Sequence, residues 1–172
     1  LEKKKDRTAR EYCWTLSSHA FGAVRNISSE AESITYVDAD LYFLRSPIDL
    51  FEELEESKKS ILITDHHYAP EYDATERSGR FCVQYLTALN QPSAWEVIDE
   101  WKAQCLEWCH ARLEDGKFGD QKYLEDWPDK HGQVVHIANP PERFLAPWNT
   151  DMISRSNNAA EHVAGGNCLG YA

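Results

Sequence analysis

The chain has 172 residues, 42% hydrophobic and 27% charged, with six Trp, eight Tyr and six Phe. That length and composition fit one domain with a sizeable core and exclude intrinsic disorder. Lys and Arg number 18 against 29 Asp and Glu, a net charge of −11, so a nucleic-acid backbone or an anionic membrane is excluded as the main partner. A phosphate-bearing small molecule stays open, because a bound cation neutralises such charge locally.

No apolar run approaches the roughly 20 residues that cross a bilayer. The opening Leu1-Glu2-Lys3-Lys4-Lys5 has no signal-peptide pattern. Five cysteines, an odd number without a Cys-x-x-Cys pair, argue against a disulfide framework. They indicate a reducing, cytoplasmic compartment, with Cys105 and Cys109 as small apolar core residues on a helix.

In chain order, Thr8 to about Val24 reads as a helix, with Tyr12, Leu16, Ala20 and Val24 recurring once per turn. Ser28-Ser29-Glu30 breaks it. Ile34 to Val37 is a short β-branched and aromatic strand that runs into Asp38-Ala39-Asp40. Pro47 opens a short acidic helix to Glu56. Ser60 to Thr64 is a second buried strand, and Asp65 to Gly79 a long polar loop of the kind that carries function. Phe81 to Thr87 is a third strand. Ser93 is placed to cap a helix running from Ala94 to about Arg112. Asp120 to Trp127 forms one or two helical turns stopped by Pro128, and Val134 to Ile137 is the last strand. The alternation predicts an α/β layered domain.

Three segments can carry chemistry. Asp38-x-Asp40 at a strand end places two carboxylates within reach of one hard divalent cation, although an acidic turn explains the same residues. In Phe118-Gly119-Asp120-Gln121, Gly119 allows a tight approach and Asp120 can cap a helix, while Gln121 suits a polyhydroxyl ligand. In Leu145-Ala146-Pro147-Trp148-Asn149, Trp148 can stack on a sugar face and Asn149 offers a donor and an acceptor; a packed Trp in a loop is the plainer account. Asp65, His66, His67 and His136 hint at zinc, but adjacent histidines seldom face one ion. Ser17-Ser18-His19 lacks the nucleophile-elbow context of a serine hydrolase.

Together these segments resemble nucleotide-sugar glycosyltransferases of the GT-A fold, from about Glu11 to Asn149. The most specific stretch is Asp115-Gly116-Lys117-Phe118-Gly119-Asp120-Gln121-Lys122-Tyr123-Leu124. It is similar to a bacterial glycosyltransferase group distantly related to the retaining galactosyltransferases of family eight.

The resemblance implies a mixed sheet flanked by helices and a metal-dependent hexosyltransferase. Asp38 and Asp40 would hold manganese or magnesium, and the donor would be a nucleotide-sugar, with UDP as the expected nucleotide. Asp120 and Gln121 would lie beside the transferred sugar as catalytic residues that also bind it. Gln84 would take part of the role that an Asn has in relatives near Cys82, and Trp148 and Asn149 would complete the sugar or acceptor wall. The acceptor would be a glycan, a lipid or a small molecule. The place of work would be the cytoplasm, with the inner membrane face as one setting.

Relatives begin with a strand that holds the nucleoside. Nothing ahead of Glu11 reads as that strand, so residues 1–172 are expected to be one GT-A-like domain in fragment form, with 150–172 as an irregular tail. Relatives also use a late His on the metal, and His162 is the only His in the tail.

Two rivals differ in class. A haloacid-dehalogenase-like phosphatase would use Asp38 as nucleophile, Asp40 as acid/base, Thr64 at a strand end and Gly119-Asp120 with Glu125 or Asp126. Against it, the Gly-Asp pair follows polar residues rather than a hydrophobic strand. A non-catalytic carbohydrate-binding remnant would keep the aromatic pocket and lose turnover.

Overall fold

A computed structural model describes residues 2–153 and 169–171 of the chain, with side chains described from residue 4 to residue 153. Helix α1 spans Ala9–Ile27 and starts at a capping box, in which Thr8 and Glu11 satisfy each other's backbone N–H groups. Strand β1 (Ser33–Val37), the short β2 (Leu41–Tyr42), helix α2 (Ile48–Ser57) and strand β3 (Ile61–Asp65) follow. The loop after β3 holds a 3-10 turn at Pro70–Tyr72 and a one-turn helix α3 (Thr75–Ser78). Strand β4 (Phe81–Leu89) leads into α4 (Pro92–Glu107). A 3-10 turn at Gln121–Asp126 runs into α5 (Trp127–Lys130), then β5 (Val135–Ile137), a further such turn at Pro141–Arg143 and β6 (Phe144–Leu145).

The main sheet has the order β1-β4-β3-β5. Strand β4 is antiparallel to both β1 and β3, and β5 is parallel to β3. The predicted mixed sheet flanked by helices is therefore what forms. The carboxyl ends of β1, β3 and β5 share one end of the sheet with the start of β4. A register shift between β3 and β4 at Leu62/Thr64 breaks the alternation within β4. Val83 and Leu86 join the core on the α4 side with Phe21, Trp101 and Leu124. Tyr85 joins the core on the α2 side with Leu50, Leu54 and Phe144. Among the described residues no helix is long and apolar enough to cross a membrane.

Several expectations change. In α1, Leu16 and Val24 are exposed, at 42% and 41%, so the once-per-turn apolar stripe is not the packed face. The buried face carries Phe21 and the polar Glu11, Thr15, Ser17 and Ser18, of which Glu11, Thr15 and Ser17 bond to residues outside the helix. Helix α4 starts from Gln91 rather than Ser93, because Pro92 supplies the fixed φ of a first helical residue. It ends at Glu107, where Trp108 turns extended, so Cys109 lies beyond the helix. Pro128 sits in the first turn of α5, where its missing N–H costs nothing, and does not stop a helix. In the segment expected to be irregular, β7 (Leu169–Tyr171) pairs antiparallel with β2 and parallel with β6. His162 lies outside the described residues.

Candidate functional site

Asp38 leaves β1 at the carboxyl end of the sheet, and its backbone N–H donates to the Gln84 carbonyl of β4 at 2.9 Å. Its side chain is half-buried, and the Tyr36 hydroxyl donates to its Oδ1 at 2.8 Å. Burial raises the Asp38 pKa, and the charge of Asp40 raises it further against the Tyr36 bond. Asp40 is exposed.

Asp120 meets this pair from the other layer. It is 4% exposed, at the head of the 3-10 turn Gln121–Asp126. Its carboxylate makes no bond that caps that turn. Its pKa is pushed up to about 7, chiefly by burial and in part by the Asp38 charge, against a hydrogen bond from Ser17. Its carbonyl accepts the Trp101 indole N–H at 2.8 Å, which anchors the turn to α4. No ion pair to Lys, Arg or His holds Asp38 or Asp120 among the described residues.

Ser17 and Tyr36 are the residues that sequence reasoning missed. Ser17 Oγ stands 3.3 Å from the Tyr36 hydroxyl, which itself bonds Asp38. A chain from α1 through β1 thus reaches both carboxylates. The available signals were the place of Tyr36, two residues before Asp38 on the same strand face, and a serine on a helix that must cover that face. Cys82 lies in the same cluster. Burial pushes its thiol up to about 12, and Asp38, Asp120 and Asp40 add to the rise, so it is an inert thiol.

Gln84 is 1% exposed, and its Oε1 has no hydrogen-bond partner among the described residues. An orphaned buried carbonyl oxygen costs about 1–3 kcal/mol. Gln121 is half-buried and donates to the Ser78 carbonyl at 3.1 Å, which ties the 3-10 turn to α3. Trp148 and Asn149 stand beside the end of β3. The Trp148 indole N–H donates to the His66 carbonyl at 2.8 Å, and its ring meets His66 and Tyr68. Asn149 is 1% exposed, with its amide bonded to His66, Phe144 and Ala146 of the backbone. Its polar atoms bind the chain's own loops.

The histidines considered for zinc have separate partners. His66 Nδ1 bonds the Arg80 carbonyl, His67 faces Glu142, and His136 bonds Glu53. Burial lowers the His66 pKa to about 4, so its ring is neutral. Among the described residues no group of three or more His, Cys, Asp or Glu is arranged to hold a metal ion. Thr64 is buried, with its hydroxyl bonded to the Cys82 carbonyl inside the sheet.

Gly119 places Asp120. Its φ is +56°, and an added Cβ would come within 3.3 Å of the Trp14 ring. Gly119→Ala is expected to destabilise the fold by about 1–2 kcal/mol, since the left-handed backbone is penalised and Trp14 must shift. Gly116, at φ +73° with nothing within 4 Å of an added Cβ, is the control. Urea unfolding should show a larger loss for Gly119→Ala than for Gly116→Ala; equal losses would remove the role assigned to the Trp14 contact.

No protein-family model matches the chain. It is similar to two uncharacterized proteins of Bacillus subtilis (strain 168). YfnD is 32% identical over 154 residues, covering 88% of this chain and 49% of its own. YfnF is 31% identical over 155 residues, covering 87% of this chain and 50% of its own. The chain thus spans about half the length of the curated relatives it matches. Among solved structures it is similar to the apo crystal structure of mouse xyloside xylosyltransferase 1, with a TM-score of 0.51 and 16% identity over 93% of this chain and 62% of the other. The fold is that of a GT-A-type glycosyltransferase.

Proposed function

We propose that this domain transfers a sugar from a nucleotide-diphosphate donor to an acceptor hydroxyl. One observation carries the reading. Asp38 and Asp120 converge at the carboxyl end of a GT-A-type sheet without ion pairs among the described residues, joined through Tyr36 and Ser17. Ligands of open α/β sheets bind at that end.

Asp38 and Asp40 are the residues that would hold a divalent cation. Their donor set is all oxygen, they repel each other, and no basic side chain among the described residues neutralises Asp38, which suits magnesium or manganese. Such a cation supplies Lewis-acid stabilisation of the charge on a departing diphosphate. Tyr36, whose pKa burial raises, stays a hydroxyl donor and fixes the Asp38 carboxylate. Asp120 accepts a sugar hydroxyl, with Gln121 beside the anomeric carbon and Gln84 Oε1 as a further acceptor. Trp148 walls the sugar or acceptor side, with Asn149 holding its loop. UDP-sugars are the proposed donors.

Calorimetric titration with UDP, with and without manganese, tests the reading. Manganese-dependent binding is expected, with about a hundredfold loss or more in Asp38→Asn/Asp40→Asn, since each carboxylate–cation contact is worth over 1 kcal/mol. UDP binding that ignores both the cation and the double substitution would sink it.

A further inference from the structure

We propose that an arginine–aromatic ledge beside Asp120 binds a phosphate or carboxylate group carried by the acceptor sugar, a proposal that rests on the transferase reading for the word acceptor and on the ledge alone for the anion. Trp14 of α1 and Phe118 form a ring pair with centroids 6.0 Å apart. Trp14 packs directly against Gly119, next to Asp120. The Arg10 guanidinium lies over Trp14 at 5.9 Å and the Arg77 guanidinium over Phe118 at 4.8 Å. Both arginines are exposed. In a chain of net charge −11, neither forms an ion pair among the described residues.

The placement of Arg10 is the telling feature. It stands in the first turn of α1, at the positive end of the helix dipole, where a cation is unfavourable. Arg25 is the contrast: it lies over Trp95 at 4.4 Å, but in the last turn of the same helix, where the dipole itself favours it. A guanidinium resting on a ring is held in place by the cation–π contact and keeps N–H edges for an anion.

The ledge is continuous with the candidate site. Arg10, Trp14 and Ser17 follow one another at helical spacing on α1, and Trp14 stands against Gly119, the residue before Asp120. Arg77 comes from α3, which Gln121 ties to the same turn through Ser78. An acceptor with its hydroxyl near Asp120 would present its neighbouring substituent to the two arginines. Bidentate, charge-assisted bonds to phosphate or carboxylate are the chemistry that such groups perform best.

The test is calorimetric titration with glucose 6-phosphate, glucuronate and glucose, in EDTA and without nucleotide. Both anionic sugars, or one of them, are expected to bind at least about tenfold more tightly than glucose, with binding weakened by salt. The stronger of the two names the anionic group. Arg10→Gln/Arg77→Gln should reduce that binding by about tenfold or more with an unchanged melting temperature, Arg10→Lys/Arg77→Lys should keep part of it, and Arg25→Gln should leave it intact. Equal binding of glucose and the anionic sugars, no binding of either anion at millimolar concentration, or indifference to the paired substitution would overturn the ledge. Because no cation or nucleotide is present, that failure is distinct from a failure of the UDP–manganese titration.

Discussion

Asp120→Asn is expected to cut transfer sharply while raising the melting temperature at pH 8. The two effects have one cause. Asp120 is 4% exposed, and burial together with the Asp38 charge lifts its pKa from 3.8 to about 7. A carboxyl whose folded pKa lies above its unfolded one supports folding fully below about pH 4, and that support is lost as pH climbs through 7. Above pH 7 the folded chain carries an ionised, buried carboxylate at a cost on the order of a few kcal/mol. Asparagine accepts from Ser17 without the charge. The gain over wild type should therefore be large at pH 8 and small at pH 4, measured as melting curves without divalent cations. Transfer should fall by about two to three orders of magnitude, as when a preorganised polar group is removed from a reacting centre. A melting temperature that drops equally at both pH values would show that ionisation of the carboxyl does not burden the fold and that asparagine fails there for a reason other than charge. Retention of instability at a site that needs charge is the familiar trade between stability and activity.

The strand ending in Asp38-x-Asp40 was legible, because β-branched and aromatic residues running into an acidic turn carry their own signal. Helix α1 was legible as a helix but not in its orientation. Hydrophobic periodicity ranks Leu16 and Val24 above Ser17 and Ser18, yet the face that packs is the polar one. Its polar groups have partners outside the helix: Ser17 meets Tyr36 and Asp120, Thr15 meets Arg7, and Glu11 meets Ala111. A pattern rule that assumes apolar burial inverts such a helix. The orphaned Gln84 Oε1 had no signal either, since only packing shows which side of β4 a residue takes after the register shift. Asn149 shows the reverse case: a residue type suited to ligands whose amide is fully engaged by its own backbone.

Glu11→Ala is expected to destabilise the fold by about 2–4 kcal/mol, a fall of roughly 5–12 °C in melting temperature for a chain this size. Glu11 is 8% exposed and accepts from the Thr8 backbone at 2.7 Å and the Ala111 backbone at 2.8 Å, with His110 at 3.4 Å. These bonds, the Ala111 one foremost, hold its pKa down to about 2. A depressed carboxyl supports folding above its unfolded value of about 4.5, and that support is lost as pH falls toward 2. Glu11→Gln keeps the shape and part of the bonding, so its deficit should be smaller than that of Glu11→Ala at pH 7 and should shrink toward pH 3. A deficit that does not change with pH would mean that the charge contributes nothing. The consequence reaches the site without touching a ligand. The His110 carbonyl accepts the Gly119 N–H at 3.0 Å, so Glu11 fixes the backbone that holds Gly119 and hence Asp120. Both Glu11 variants should therefore lose transfer in step with their loss of stability, whereas Asp120→Asn loses transfer as stability rises. That opposite movement separates a residue that positions the site from one that acts in it.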